Sequence, residues 1–151
     1  MAALLGISVL AGVWFYTVIW EPHRKLYRDE AWLAEASTME VRSLCHHIIG
    51  RRPANPHDAF LHLRHVGNAE SVPLLIRALR WQNSRAGELQ TCTTVHCVDA
   101  LRSLTGQDFG YSPEAWTAWW EETGRKLPAE HFHPRERHTL PGAATDERSE
   151  R

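Results

Sequence analysis

The sequence predicts an all-α protein, a short α-α solenoid preceded by one transmembrane helix. The first twenty residues hold a long run without a charged side chain, which indicates the transmembrane helix. Beyond it, apolar residues recur at spacings of three and four, as they do on the buried face of a helix, and no segment alternates as a half-buried strand does. Glycine and proline residues mark the ends of these helical stretches.

Residues 1–20 are predicted to be an uncleaved membrane anchor. As a helix, the uncharged run from Ala2 to Trp20 would measure about 28 Å, close to the thickness of the hydrocarbon core of a bilayer. A secretory signal peptide is the alternative, but it needs a basic start and small residues at a cleavage site, and this run has neither. The side chains expected at the membrane interface follow in order: Trp14, Tyr16, Trp20, Arg24 and Lys25.

The basic residues after the run set the expected orientation, because Lys and Arg next to a transmembrane helix are enriched on its cytoplasmic side. We therefore expect a single-pass membrane protein with its main part in the cytoplasm. That part divides into a juxtamembrane helix or linker at 21–36, a helical domain at 37–127 and a tail at 128–151. The tail has few apolar residues, and it is expected to be disordered.

Capping residues and helix breakers define the helices of the domain. Ser37 and Glu40 have the spacing of a capping box, in which each side chain satisfies the backbone N–H of the other residue. Residues 82–90 are predicted to form a polar loop. Helices are predicted to start at Ser37, Asn55, Asn68, Thr91 and Ser112, and to end at Gly50, Gly67, Trp81, Gly106 and Gly124.

An internal repeat links these helices. The segment LRHVGN at 63–68 recurs as LRSLTGQ at 101–107, and a period near about 40 residues with two helices per unit is typical of a helical solenoid. GNAESVPLLIRALR and CVDALRSLTG resemble the first and second helices of a HEAT repeat, and TGQDFGYSPEAWTAWW at 105–120 is similar to the terminal segment of many bacterial members. The resemblance covers roughly 56–123. It implies a HEAT-like domain that binds protein partners.

The Asp108-Phe109-Gly110 segment has the same sequence as the magnesium-binding Asp-Phe-Gly motif of protein kinases. The glycine-rich loop, the strand lysine and the catalytic loop that such a motif needs are missing from the sequence. We therefore interpret the segment as a turn, with Gly106 and Gly110 in dihedral regions that favour glycine. The aromatic side chains around it are expected to close the end of the stack as a structural cap: Phe109, Tyr111, Trp116, Trp119 and Trp120.

The charge balance and the motif content exclude several classes of function. The chain has 17 Lys and Arg residues against 18 Asp and Glu residues, without the basic stripe that nucleic-acid binding needs. It also lacks a phosphate-binding loop, a zinc-protease helix and a serine nucleophile elbow. The sequence therefore predicts no nucleic-acid partner, no enzyme activity, no catalytic residue and no cofactor.

Cysteine and histidine residues offer two weaker candidates for chemistry. A zinc site could join Cys45, His46 and His47 to Cys92, His96 and Cys97, but the spacing matches no common zinc motif, so buried, reduced thiols and no metal site are expected. Three more histidines fall near one side of the helix that starts at Asn55. They could form a proton-responsive or ligand-binding face, although solvent exposure is the simpler expectation: His57, His62 and His65.

Exposed arginine beside tryptophan is the composition of protein-binding hot spots. A candidate surface of this kind is expected at Arg77, Arg80, Trp81 and Arg85, the alternative being that Trp81 packs against a neighbouring repeat. The sequence therefore predicts a membrane-anchored, HEAT-like scaffold or adaptor that binds another protein at the membrane surface. The alternative function is an accessory single-pass subunit of a larger membrane complex, with the contacts made by small residues of the transmembrane helix.

Overall fold

The computed structural model describes residues 2–51, 55–86 and 91–134, and the side chains of these residues except 2–6 and 84–86. The described part holds eight α-helices: α1 (Ala2–Phe15), α2 (Glu21–Arg28), α3 (Glu30–Glu35), α4 (Thr38–Ile49), α5 (His57–Val66), α6 (Ser71–Ala86), α7 (Cys92–Thr105) and α8 (Pro113–Glu122). A π-helical turn (Tyr16–Trp20) joins α1 to α2, and two short 3-10 turns (Gly124–Lys126 and Ala129–His131) follow α8. None of these residues lies in a β-strand. The prediction of an all-α fold is confirmed over this part of the chain.

The helices from α4 onward form two layers. Helix α4 packs on α5 and α6 packs on α7, so consecutive helices form pairs. In one layer α6 contacts both α4 and α8, while in the other α5 contacts α7. Stacked helix pairs bury a continuous core in this way, because each pair covers the apolar face of its neighbour. We call α4 to α8 the body.

Local sequence signals explain where the helices of the body begin and end. The capping box is confirmed: the Ser37 hydroxyl accepts from the Glu40 N–H at 3.3 Å, and the Glu40 carboxylate accepts from the Ser37 N–H at 2.8 Å. The Thr91 hydroxyl caps α7 in the same way. Gly106 ends α7 with a φ of 69°, a left-handed conformation that glycine adopts without strain.

The core lies between the two layers. Its fully buried side chains come from α5, α6 and α7, and they are joined by Cys45 and Ile48 of α4 and by Trp116 of α8. The repeated segments found in the sequence supply the contact between α5 and α7, since Leu63, Leu101 and Leu104 are all fully buried. The larger fully buried side chains that α5, α6 and α7 contribute to the core are Phe60, Leu63, Leu75, Leu79, Leu101 and Leu104.

Helix α6 begins at Ser71 instead of Asn68, and its end differs from the prediction because of a contact that is distant in sequence. Helix α6 ends at Ala86 instead of Trp81, and the Asn83 side-chain amide donates to the Tyr111 carbonyl at 2.8 Å, which ties the extra turn to the loop before α8. Residues 87–90 of the predicted loop lie outside the described residues.

The segment expected to begin the disordered tail, 128–134, has a defined structure. Phe132 is 3% exposed and its ring lies 5.6 Å from that of Trp120, so this aromatic side chain joins the core. The rest of the predicted tail, 135–151, lies outside the described residues.

The prediction of a transmembrane anchor is wrong. Helix α1 has 14 residues and is about 21 Å long, which is short of the roughly 30 Å hydrocarbon core. Over the described residues, no helix combines the length and the apolar composition needed to cross a bilayer. The last part of the predicted span joins the body instead: Ile19 is 7% exposed, and the Val18 carbonyl is hydrogen-bonded to His47 of α4. The prediction of a single-pass membrane location is wrong for the same reason.

The close packing of α5 on α7 leads to a stability prediction for Gly67, the residue after α5. A Cβ atom at Gly67 would lie 2.5 Å from the Leu63 carbonyl oxygen and 2.7 Å from a Leu104 methyl carbon. We expect Gly67→Ala to lower the free energy of unfolding by about 1–3 kcal/mol, measured by urea denaturation. Gly12→Ala is the matched control, because a Cβ there would meet no atom within 4 Å. Equal stabilities of the two variants would contradict this packing.

Candidate functional site

The aromatic cap is organised around Trp116. This side chain is fully buried, and its indole N–H donates to the Gly110 carbonyl at 2.9 Å. The Phe109 ring meets it edge to face with centroids 4.9 Å apart, and the half-buried Trp119 ring lies against both. Tyr111 is half-buried and packs against the core. These contacts are the geometry that edge-to-face aromatic pairs favour.

The Asp-Phe-Gly segment is a turn between α7 and α8. Gly110 has a φ of 54°, and the Asp108 carboxylate accepts from its N–H at 2.9 Å. The same carboxylate forms an ion pair with the Arg102 guanidinium at 2.9 Å. The hydrogen bond from Arg102 lowers the pKa of the Asp108 carboxyl below its ordinary value. The acidic side chain therefore holds the start of the turn to the end of α7.

The structure describes the side chains of three of the four residues predicted to form an arginine and tryptophan surface on α6. Arg77 and Arg80 are exposed, and Arg80 donates to the Thr117 hydroxyl of α8 at 3.2 Å. Trp81 is half-buried. Arg85 belongs to α6, but its side chain lies outside the described part. The described portion of this surface is therefore two arginines beside the α6–α8 contact.

The cysteine residues differ in their surroundings. Cys45 and Cys97 are fully buried, and burial raises the pKa of the Cys45 thiol to about 12 and that of the Cys97 thiol well above its usual range. The Cys97 thiol donates to the Leu75 carbonyl at 3.4 Å, whereas Cys92 is exposed. Over the described part of the chain, no three His, Cys, Asp or Glu side chains are arranged to hold a metal ion.

The histidines expected on one face of α5 have separate roles. The His57 Nδ1 atom is hydrogen-bonded to the Asp58 carboxylate at 2.9 Å, and the His57 ring meets the His96 ring of α7 edge to face at 4.8 Å. His62 is half-buried, and the nearby Leu26 carbonyl of α2 favours its charged form. His65 is exposed. This face therefore carries contacts to two other helices.

A cleft of about 440 Å³ lies between α2 and the start of α5. The sequence analysis missed its α2 side, because His23 was assigned to a polar juxtamembrane segment. A signal was present: Ile19, Pro22 and Leu26 continue an apolar stripe at helical spacing past the uncharged run, and all three are buried. The lining residues are Trp20, His23, Arg24, Tyr27, Arg28, Asn55, His57 and Asp58.

Helix α1 is apolar and exposed. Its main contact within the described part is the π-helical turn that follows it. Large side chains on this helix and turn are 48–71% exposed: Ile7, Val9, Leu10, Val13, Trp14, Phe15, Tyr16 and Trp20. Contiguous apolar surface of this kind marks an interaction site.

The polar residues assigned to a membrane interface lie on α2 and make contacts with nearby acidic residues instead. Arg24 and Lys25 pair with Glu21 at 3.2 and 3.6 Å, and Arg24 also reaches Asp29 at 3.4 Å. With the anchor corrected, their assignment to a membrane interface is withdrawn, together with that of Trp14, Tyr16 and Trp20. We call α1, the π-helical turn and α2 the arm.

Comparisons with models of protein families, with curated proteins and with solved structures find no match to this chain. The class that the geometry defines is a two-layer stack of paired helices with an exposed apolar arm.

Thiol burial leads to a prediction about reactivity. In the folded protein near pH 8, we expect a chromogenic disulfide reagent to modify Cys92 at least about a hundredfold faster than Cys45 and Cys97. The reason is that the reaction requires an accessible thiolate. All three thiols should react quickly in denaturant. Cys92→Ser is the control and should remove the fast phase. A second fast thiol in the folded protein would contradict the structure.

Proposed function

We propose that this chain is a helical-repeat adaptor that binds another protein through its apolar arm. The observation that carries the proposal is the exposure of α1, where Leu10 is 71% and Ile7 64% exposed. Monomeric proteins rarely leave such contiguous apolar surface uncovered, because covering it lowers the free energy.

The distribution of apolar residues indicates the kind of site that α1 enters. Exposed apolar side chains such as Val9, Leu10 and Val13 are not confined to every third or fourth position, so the helix has more than one apolar face. A shallow surface would cover a single stripe. A deep groove or a bundle of apolar helices on the partner protein covers several faces at once.

The energy available is sufficient for a specific complex. Burial of a large aliphatic or aromatic side chain contributes about 1.5–3 kcal/mol, so several such residues on α1 supply on the order of 10 kcal/mol before the cost of association. A micromolar complex requires about 8 kcal/mol. The helix alone therefore carries enough apolar surface to anchor a partner.

The connection to the body supports an adaptor role. The residues on both sides of the π-helical turn have helical dihedral angles, with φ and ψ of −58° and −46° at Phe15 and −62° and −46° at Glu21. Helical backbone therefore runs from α1 into α2, which packs on the body. The resemblance to HEAT repeats also supports the proposal, since members of that family usually bind proteins.

The proposal is tested by comparing two charge variants of the full chain. Leu10→Glu with Val13→Glu changes two exposed residues of α1, and Arg77→Glu with Arg80→Glu changes the arginines of α6. Proteins cross-linked to the wild type in its own cells are identified, and the recovered candidate is purified for binding measurements. We expect the α1 variant to weaken its binding about a hundredfold or more, since two charges would enter an apolar site, while the α6 variant binds normally.

Three results would contradict this proposal. Loss of binding in the α6 variant alone would assign the contact to the arginine surface. Binding of the purified chain to protein-free lipid vesicles with no protein partner recovered would assign α1 to a lipid surface. Light scattering that shows stable self-association through α1 would make a second copy the occupant. Circular dichroism of both variants checks that the helices are retained.

A further inference from the structure

The contact between α2 and the body is built from apolar side chains and histidines. Pro22 and Leu26 of α2 are buried against the body. The half-buried His62 ring of α5 faces the last turn of α2, where the Leu26 carbonyl favours its charged form. Nearby, the His47 ring nitrogen lies 3.0 Å from the Val18 carbonyl. Two histidines of the body thus lie against the arm, and one of them, His47, is hydrogen-bonded to a backbone carbonyl of the arm. We call this contact the seam.

A third histidine, His23, lies in the seam on the arm side. Its ring is half-buried, and its Nε2 atom is enclosed without a hydrogen-bond partner among the described residues. It shares the cleft with the carboxylate of Asp58 on α5. An imidazolium at this position would be partly removed from water, and its enclosed N–H would lack an acceptor.

The charges around the seam compensate only in part for protonation of these histidines. Arg24 and Arg28 of α2 line the same cleft as His23, and both are positive. Asp58 is the carboxylate that acts on His23 and on His62, and it is already paired with His57, which contacts His96 of α7. Arg24 is paired with Glu21 and Asp29, so Asp58 is the carboxylate that acts on the imidazoles, with the Arg28 guanidinium in the same cleft. His65 of α5 acts against the charged form of His62, and His47 of α4 also contacts the arm.

We propose that the seam is a proton-operated latch, in which protonation of His23 and His62 favours separation of the arm from α4 and α5. In the separated state both rings are hydrated and can carry charge at little cost. In the closed state the two charges would share a half-buried site with Arg24 and Arg28. The apolar contacts of Pro22 and Leu26 hold the latch closed while the histidines are neutral.

The direction of the pH dependence follows from the burial of both rings. Burial lowers the pKa of His23, with partial compensation by Asp58, and burial likewise lowers the pKa of His62. The separated state therefore binds more protons than the closed state at acid pH. Closure is at full strength above the ordinary histidine pKa of about 6.5 and weakens as the pH falls below it.

Hydrogen exchange of the full chain tests the latch without a partner. Protection factors, which correct for the intrinsic pH dependence of exchange, are compared for the amides of 23–28 in α2 and 97–104 in α7 at about pH 7.5 and 5.5. We expect protection in α2 to fall roughly three- to tenfold more than protection in α7 on acidification. A parallel loss in both helices would mean general acid unfolding, and no loss in α2 would mean a seam insensitive to protons. Either result overturns the proposal.

Variants assign the effect to the histidines. His23→Gln cannot be protonated, and it should remove half or more of the acid-induced loss in α2. His133→Gln is the matched control, because His133 is exposed after the last 3-10 turn, and it should behave as wild type. A His23→Gln response equal to that of the wild type would overturn the assignment.

Asp58→Asn gives an independent readout if His23→Gln already opens the seam at neutral pH. Without the carboxylate, protonation of His23 and His62 costs more in the closed state, so the loss of protection in α2 between about pH 7.5 and 5.5 should be larger than in the wild type. A loss equal to or smaller than that of the wild type would overturn the latch on its own.

Discussion

The close packing of α5 against α7 is the contact on which the rest of the structure depends. The Leu104 side chain packs directly against Gly67, the residue that follows α5, where a Cβ atom would lie 2.7 Å from a Leu104 methyl carbon. The Ser103 hydroxyl also donates to the Arg64 carbonyl across this contact at 2.9 Å. Because one side of α5 is fixed in this way, its other side presents Asp58 and His62 to α2 in a defined position. The arm is therefore held by a helix whose place is set by the core.

Local sequence patterns were enough to predict most helices and their caps, because a cap involves residues three positions apart. The pair of Ser37 and Glu40 is one example. Patterns failed where a residue's environment depends on partners far along the chain. Phe132 is a single aromatic residue in a polar segment, and its burial requires Trp120. The apolar run was read as an anchor because hydropathy counts composition alone, whereas Ile19 at its end is buried and the Val18 carbonyl is hydrogen-bonded to His47 of the body.

The seam was harder to predict than the core for a physical reason. Apolar side chains reveal their buried face through periodicity, but a polar side chain has no such signature, since it can be exposed or hydrogen-bonded at any position. His62 was therefore expected to face solvent, and His23 was not singled out. Their common neighbour is Asp58, and only the packing of α2 beside α5 brings the three together. The apolar stripe of Ile19, Pro22 and Leu26 was the available clue.

Partner binding at α1 and protonation of the seam histidines are thermodynamically coupled if the partner binds the closed and separated states of the seam with different affinities. A partner that needs access to Trp20 or to the turn before α2 would bind the separated arm more tightly than the closed arm. Binding would then be accompanied by proton uptake. Acidification would strengthen binding, because the factor by which protonation raises the affinity for the partner equals the factor by which the partner raises the affinity for protons. A partner that contacts only the outer turns of α1 would bind both states equally and would not respond to pH. The position of the contact along the arm therefore decides whether the histidines regulate it.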